Sequence, residues 1–391
     1  MTAPKESITE PITHFLTGAC IGRAGFNRRT AYATVAAVLA AEAADLDILW
    51  GFAGPIEELK HHRGITHTLW AAPVVAVVVT GVLWMVDRWW FQRRRKRRAA
   101  EQEAKIVPGE RPFIRRELAV RWGWVYAAAF VAALSHLILD WTNNYGVRPF
   151  FPFNANWYSG DLVFIVEPVL WGVFALALIV PAFLRLADQE IGVPRTVRRG
   201  QGWAIFALAA MVSLWGWRWV EHQRAKSMIE QTQVTREPVR RLALEPYPMN
   251  PARWHAILET GSTYQTAEVN THAGTIESDP QRDVLFKPLE TLAVRAAKQT
   301  ELGKVYMDWG RWAVAQDVGP EPIPGLTPGA LDAPQLPPTR RWTTVRFDDL
   351  RFQYFWRLGG RTDAPSPLTG WVYILDDRED GGAAIGSRVE R

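Results

Sequence analysis

The first half of the chain alternates long apolar runs with short polar segments. Three runs are long enough to cross about 30 Å of hydrocarbon as helices, and they cover residues 69–86, 122–139 and 162–184. Three weaker runs cover residues 12–26, 31–47 and 203–220. Soluble domains rarely contain three apolar runs of such length. The pattern therefore predicts an α-helical integral membrane bundle of about six segments.

Beyond residue 220 the pattern changes. Short stretches rich in aromatic and β-branched residues, such as 343–356 and 370–377, are bounded by Gly, Asp and Pro and predict strands. The proline-rich stretch 316–340 predicts a loop. We therefore predict two domains, a membrane-embedded helical domain that carries a metal site (residues 1–220) and a small, mostly β extracytoplasmic domain (residues 221–391).

The distribution of basic residues predicts how the helices are oriented in the membrane. Basic residues concentrate in alternate loops of the predicted bundle, at Arg28, Arg29, Arg93–Arg98, Arg195, Arg198 and Arg199. Because basic loops remain in the cytoplasm, we predict a multi-pass membrane protein with both termini outside. A basic run beside a membrane helix is better explained by a retention signal or by anionic lipid than by nucleic acid, so no nucleic-acid partner is expected.

Metal-binding side chains recur at the segment ends that this topology places outside. They are His14, Asp45, Asp47, His62, His67, His136 and Asp140. His136 and Asp140 are four residues apart, which puts them on one face of a helix. Imidazole and carboxylate ligands together favour zinc, with manganese or iron as alternatives, over calcium or magnesium. The number of donors predicts a site for one to three divalent transition metal ions.

Three further residues extend the predicted site. Glu167 lies within an apolar segment, where ionisable groups are costly and usually functional, and we include it as a ligand; before Pro168 it could instead satisfy backbone groups near a kink. Arg63 and Arg148 are rare basic residues on the outer side and could clamp a phosphate. Asp47 could also orient an attacking water, so Asp47, Arg63 and Arg148 form the predicted catalytic set.

Four segments carry a family resemblance, namely THFLTG (13–18), DLDIL (45–49), HHRGITHT (61–68) and SHLILDWTNNYGVRPFFPF (135–153). In combination they resemble the YdjM-like family of bacterial inner-membrane proteins, which are described as metal-dependent hydrolases, some of them LexA-regulated. The resemblance covers roughly residues 12–187, and the C-terminal domain looks like the extension of longer members.

The family's pattern is similar to that of zinc-dependent phospholipase C and of zinc-dependent single-strand-specific nucleases, which are helical and hold three zinc ions. The resemblance implies metal binding by five positions, namely His14, Asp45 or Asp47, His67, His136 and Asp140. His62 and Glu167 are less certain members of this implied set.

These observations predict a membrane-bound metal-dependent hydrolase. Its expected substrate is a phosphate ester in a lipid or lipid-linked molecule at the outer face of the inner membrane, with membrane lipids as partners and homo-oligomerisation left open. The alternative is a non-catalytic membrane protein that the metal stabilises and whose β domain binds a partner or an envelope polymer.

Overall fold

A computed structural model describes residues 9–92, 119–190, 200–320, 342–352, 368–375 and 383–389. The basic residues Arg93–Arg98, Arg195, Arg198 and Arg199, on which much of the predicted orientation rests, lie outside the described residues. Most of the predicted proline-rich loop also lies outside them. Residues 316–319 are described, however, and they belong to a strand, so the predicted loop began too early.

The N-terminal half of the described chain is helical. Its helices are α1 (Thr9–Arg23), α2 (Ala33–Glu42), α3 (Pro55–His61), α4 (Ala71–Val86), α5 (Trp122–Thr142), α6 (Pro168–Glu190) and α7 (Gln201–Gln231). Four of these are long and apolar enough to cross a membrane, namely α4 with its continuation to Phe91, α5, α6 and α7. The predicted count of six passes stays a prediction.

The second predicted segment, 31–47, is not one helix. Helix α2 has ten residues and rises about 15 Å, after which the chain forms a 3-10 helix over Ala44–Ala53. Asp45 and Asp47 therefore lie in the first turn of this 3-10 helix. The sequence had instead predicted that they end a single membrane-spanning helix.

The fifth predicted segment also begins later than expected. Helix α6 starts at Pro168, because proline lacks an N–H group and is tolerated at the first helical position. Residues 162–167 are outside the helix. Glu167 consequently precedes the helix, which corrects the prediction that it lies inside a membrane-spanning segment.

Small residues bring α1 and α2 together. A Cβ atom added at Gly22 would lie 2.5 Å from the Cα atom of Thr34, and one added at Gly18 would lie 2.8 Å from the carbonyl oxygen of Ala37. Such close backbone contact is typical of membrane helices that pack through small residues. The alanine-rich face of α2 also packs on α5, so α2 connects the helices that carry His14 and His136.

The described part of the C-terminal domain contains two antiparallel sheets and two short α-helices. The first sheet has the order β1 (Arg241–Pro246), β2 (Arg253–Glu259), β3 (Thr263–Asn270) and β4 (Thr275–Glu277), with β5 (Val284–Phe286) also paired to β3. The second has the order β6 (Ala313–Gly319), β7 (Trp342–Asp349), β8 (Gly370–Leu375) and β9 (Ala383–Val389). Helices α8 (Leu292–Gln299) and α9 (Glu301–Trp309) connect the sheets.

The two parts pack directly against each other. Helix α7 continues through the predicted boundary at residue 220 and buries Ala225 and Ile229 against the first sheet. Leu59 of α3 and Tyr145, just after α5, belong to the same core as Trp309 of α9. The C-terminal domain thus packs on α3, on the residues that follow α5 and on the last turns of α7.

Candidate metal centre

Within the described residues, two overlapping groups of side chains could hold a cation. The first consists of His14, His136 and Asp140, and the second of Asp45, His67 and His136. Within each group the ligand atoms lie within 4.8 Å of one another. Four of the five side chains are buried and Asp45 is partly exposed. Residues separated by up to 126 positions, from 14 to 140, therefore meet in one place.

Helix α5 supplies the centre of the cluster. The Nε2 atom of His136 lies 3.2 Å from Oδ2 of Asp140, one helical turn further on. The ring of His14 stacks on that of His136 with centroids 3.8 Å apart. The Nε2 atom of His14 lies 3.4 Å from Oδ1 of Asp140. Helices α1 and α5 thus place two imidazoles around one carboxylate.

Two 3-10 helices, Ala44–Ala53 and Ile65–His67, supply the remaining residues of the cluster. The Oδ1 atom of Asp45, in the segment Ala44–Ala53, lies 3.3 Å from Nε2 of His67 and 3.5 Å from Nε2 of His136. His67 ends the short 3-10 helix Ile65–His67, and its Nε2 atom lies 3.4 Å from Oδ2 of Asp140. The predicted convergence of His67 and His136 is therefore seen in the structure.

Groups behind the imidazoles fix their orientation. The Nδ1–H group of His136 donates to the carbonyl oxygen of Ala41 over 2.6 Å, so its Nε2 atom presents a lone pair to the carboxylates. Oδ2 of Asp47 lies 3.2 Å from Nδ1 of His67 and accepts the backbone N–H of Arg63 over 2.8 Å. Carbonyl and carboxylate groups in these positions are usual behind metal-binding histidines. Asp47 therefore supports His67 and is not itself in either ligand group.

The donor set fits a divalent transition metal ion. The Nε2 atom of His136 is buried and makes no hydrogen bond within the described residues, although a carboxylate oxygen lies close by. Two lone pairs at that distance require a proton or a cation between them. Among the described residues of the cluster, the guanidinium of Arg63 is paired with Asp140. The carboxylates of Asp45, Asp47 and Asp140 then carry two more negative charges than this cation balances when the histidines are neutral.

The pKa shifts of two groups outside the spanning helices agree with a site that binds a cation. Burial raises the pKa of Asp47, but hydrogen bonds from His62 and His67 outweigh burial and hold that pKa below its usual value. Burial lowers the pKa of His67, yet the carboxylates of Asp45 and Asp47 outweigh it and raise the pKa to about 10. The cluster thus attracts positive charge strongly, and protons and a metal ion would compete for it.

The remaining predicted residues lie around this cluster or away from it. His62 is 22 % exposed, and its Nδ1 atom lies 3.6 Å from Asp47, so it belongs to the support. The buried Arg63 contacts Asp140 directly, with Nη2 2.9 Å from Oδ1. Arg148 instead donates to Asp308 of the C-terminal domain over 2.9 Å and stacks on Trp157. Its contacts give no support to the predicted phosphate clamp.

Glu167 has a different partner from the one expected. Its Oε2 atom accepts from Nη2 of Arg218 over 2.7 Å, and its Oε1 atom accepts from the backbone N–H of Met249 over 3.1 Å. Although burial raises the pKa of Glu167, this pairing explains how the group is tolerated, and it is in neither ligand group. The sequence held a signal for the pair, because Glu167 and Arg218 both interrupt apolar runs and ionisable residues in such runs usually pair.

Sequence reasoning missed Tyr145 as part of the site. Its ring lies under the guanidinium of Arg63, with Cζ 4.5 Å from the ring centroid. It follows Asn143, whose Oδ1 atom accepts from Nη1 of Arg63 over 3.3 Å. Tyr145 stands within the segment that carries the family resemblance, but its aromatic ring alone gave no metal-related signal.

The fold and the cluster together define a class of protein, a helical membrane protein with a buried histidine and aspartate group suited to a metal ion. A family model described as YdjM inner membrane protein matches residues 10–225, which is more than half of the chain. The chain therefore belongs to the YdjM inner membrane protein family, and the matched region contains every residue of the cluster. No curated protein and no solved structure matches the chain.

Proposed function

We propose that this protein is a membrane-bound metal-dependent hydrolase that cleaves a phosphate ester in a lipid or lipid-linked substrate at the outer face of the inner membrane. The observation that supports it most directly is the cluster of His14, Asp45, His67, His136 and Asp140 with the guanidinium of Arg63 beside it. Structural sites are usually closed by four ligands, and this cluster offers more donors than that.

The arrangement suits phosphoryl chemistry. When bound, a divalent transition metal ion lowers the pKa of a coordinated water and polarises a phosphoryl oxygen. Asp47 and the carbonyl of Ala41 hold the imidazoles of His67 and His136 in fixed orientations. Arg63 supplies a positive charge that is already positioned before substrate arrives, which is the property that stabilises developing negative charge.

The opening of the cluster supports a lipid substrate. Asp45 retains 16 % side-chain exposure while its neighbours in the cluster are buried, so access is on the side of the 3-10 helix Ala44–Ala53. That helix exposes large apolar side chains, including Leu46, Leu49 and Phe52, the last of which is 91 % exposed. Nearby, Trp70 directly precedes α4 and contacts the exposed Phe153. Aromatic residues at the end of a spanning helix suit the headgroup layer.

The test uses the full chain purified in detergent. We expect elemental analysis to find at least one transition metal ion per chain, and phosphate or headgroup release from phosphatidic acid or phosphatidylglycerol in mixed micelles. Asp45→Asn, at a partly exposed ligand, should lower metal content and hydrolysis together. With metal supplied in excess so that the site stays filled, Arg63→Lys should lower kcat about 100-fold, because a single ammonium does not reproduce a positioned guanidinium.

His272→Ala is the matched control, since His272 is exposed and lies in the C-terminal domain. It should leave both metal content and hydrolysis unchanged. Less than one metal ion per chain in gently handled protein would contradict the proposal. Bound metal without hydrolysis of either lipid, and without release from soluble glycerol phosphate, would instead favour the non-catalytic alternative in which the metal stabilises the bundle.

A further inference from the structure

The C-terminal domain reaches the loop that follows α5. Arg351 is fully buried, and its Nη1 atom donates to the backbone carbonyl oxygens of Asn144 over 3.1 Å and Tyr145 over 3.0 Å. Asp349 neutralises this guanidinium, with Nη2 to Oδ2 at 2.8 Å. The side chain thus makes charge-assisted hydrogen bonds on both sides. Arg351 thus holds the backbone of Asn144 and Tyr145, which lie more than 200 positions earlier in the chain.

A second contact reaches the same loop through its side chain. Nε1 of Trp309, the last residue of α9, donates to the hydroxyl oxygen of Tyr145 over 2.6 Å. Both side chains are buried, and their ring centroids are 5.5 Å apart. The position of the Tyr145 ring is therefore fixed by the C-terminal domain through its hydroxyl and its backbone.

From Tyr145 the contacts continue into the cluster. The guanidinium of Arg63 lies over the Tyr145 ring, and its Nη1 atom donates to the carbonyl oxygen of Gly146 over 2.6 Å. Its Nη2 atom is paired with Asp140, a member of the first ligand group. Arg63 therefore joins a loop held by the C-terminal domain to a carboxylate of the candidate metal centre.

We infer that the C-terminal domain sets the geometry of the metal centre, with Trp309 and Arg351 as positioning residues that act through Tyr145 on Arg63 and Asp140. The inference rests on the metal centre proposed above and is independent of the substrate. A buried ion pair such as Arg351 with Asp349 is weak evidence for stability, and its best-attested use is to specify one arrangement. The domain is then part of the site itself.

The experiment measures metal binding and not activity. Full-length protein in detergent is stripped with a chelator and titrated with Co²⁺, and both the affinity and the visible spectrum of the bound ion are recorded. Trp309→Phe keeps a ring but removes the donor to Tyr145, and we expect it to weaken Co²⁺ affinity about 10-fold, at the low end for groups that support ligands, with a shifted spectrum. Tyr145→Phe removes the acceptor and should do the same.

The double variant Trp309→Phe with Tyr145→Phe sharpens the test. Because both changes break one hydrogen bond, the double variant should bind Co²⁺ about as well as either single variant and not about 100-fold more weakly. Trp312→Phe is the control, since Trp312 is buried in the same domain but packs on Arg241 and the first sheet. It should keep the wild-type affinity and spectrum even if it lowers the melting temperature.

Two outcomes would overturn the inference. One is a wild-type Co²⁺ affinity and spectrum in both Trp309→Phe and Tyr145→Phe. The other is a loss that Trp312→Phe shows equally, which would reflect general destabilisation. Wild-type protein that binds Co²⁺ with the expected variant effects but hydrolyses no phosphate ester would refute only the proposed function, whereas wild-type protein that binds no Co²⁺ would refute both.

Discussion

Glu245 is a carboxyl group buried in β1 where its charge is poorly compensated. Neither of its oxygens has a hydrogen-bond partner within the described residues. Burial, with a further contribution from the charge of Asp161, raises its pKa well above the usual value, against the opposing charges of Arg311 and Arg351. Such a group is protonated in the folded protein and ionised in the unfolded chain over a wide pH range.

This predicts stability that falls as pH rises. At a pH below the pKa of Glu245 in the unfolded chain, both states hold the proton. Between that pKa and the raised pKa in the folded protein, the unfolded chain releases the proton and the folded protein keeps it. The free energy of unfolding therefore falls as pH rises through this window. Glu245→Gln removes the ionisation and should melt about 2–4 °C higher than wild type at pH 8, which corresponds to about 1 kcal/mol. The two proteins should differ little at pH 4.

Thermal unfolding in detergent at both pH values measures this, with the exposed Glu277→Gln as control. Equal melting temperatures of wild type and Glu245→Gln at pH 8 would mean that Glu245 is not held neutral. No sequence pattern singled out this residue, because the residues of β1 alone do not reveal which of its side chains will be buried.

The residues of the two candidate ligand groups were more predictable than the roles of their side chains. Spacing alone placed His136 and Asp140 on one face of a helix, and the apolar runs placed His14, Asp45 and His67 at segment ends. Whether a carboxylate binds the ion or holds a histidine depends on a displacement of a few ångströms. Asp45 and Asp47 are two residues apart in one 3-10 helix, yet only Asp45 joins a ligand group. Side-chain contacts of that kind are set by tertiary packing.

At the scale of elements, the contact of α1 with α2 holds one ligand helix in place. Gly22 approaches Thr34 so closely that a methyl group cannot be added without separating the helices. Because α1 carries His14, such a separation should also displace an imidazole from Asp140. The small-residue contact is therefore connected with the metal centre through the rigidity of α1.

We predict that Gly22→Ala lowers the melting temperature and weakens metal binding. A buried overpacking substitution costs about 1–3 kcal/mol, so a measurable fall in both quantities is expected from thermal unfolding and Co²⁺ titration. Gly172→Ala is the control, because a Cβ atom at Gly172 in α6 meets nothing within 4 Å. If Gly22→Ala behaved like Gly172→Ala, the tight contact of α1 with α2 would be contradicted.

Element boundaries were predicted less well than the elements themselves. The apolar runs indicated helices at α4, α5, α6 and α7, since their length exceeds what soluble helices need. The apolar runs did not predict that the second run changes to a 3-10 helix after Glu42. They also did not predict that α6 begins only at Pro168. Local geometry at those points follows from packing on neighbouring helices, which apolar periodicity does not encode.

At the scale of the whole molecule, the sequence divided the chain into a helical and a β part but did not predict how closely the two are joined. The joining contacts are specific, with Arg148 to Asp308 at 2.9 Å and Arg311 to Asp161 at 3.0 Å. Each pairs residues more than a hundred positions apart. Surface charges are common in any sequence, so no pattern singles out those that will meet across an interface.

The side of the membrane on which this joined structure lies can be tested with one pair of substitutions. Ala273→Cys places a thiol at an exposed turn of the C-terminal domain, and Asn27→Cys places one in the 3-10 helix Phe26–Arg28, just beyond the end of α1 that is remote from His14. The native Cys20 is fully buried and should contribute little background. With a membrane-impermeant maleimide on intact spheroplasts, we expect Ala273→Cys to label at once and Asn27→Cys to label only after permeabilisation.

The candidate metal centre, the exposed apolar residues of the 3-10 helix Ala44–Ala53 and the C-terminal domain all lie together, so one label reports the side of all three. The basic residues Arg28 and Arg29 next to Asn27 favour the cytoplasm for the opposite end. The reverse labelling pattern would place the centre at the inner leaflet. A phosphate ester of the outer leaflet could then no longer be the substrate, even if metal binding and hydrolysis were both observed in detergent.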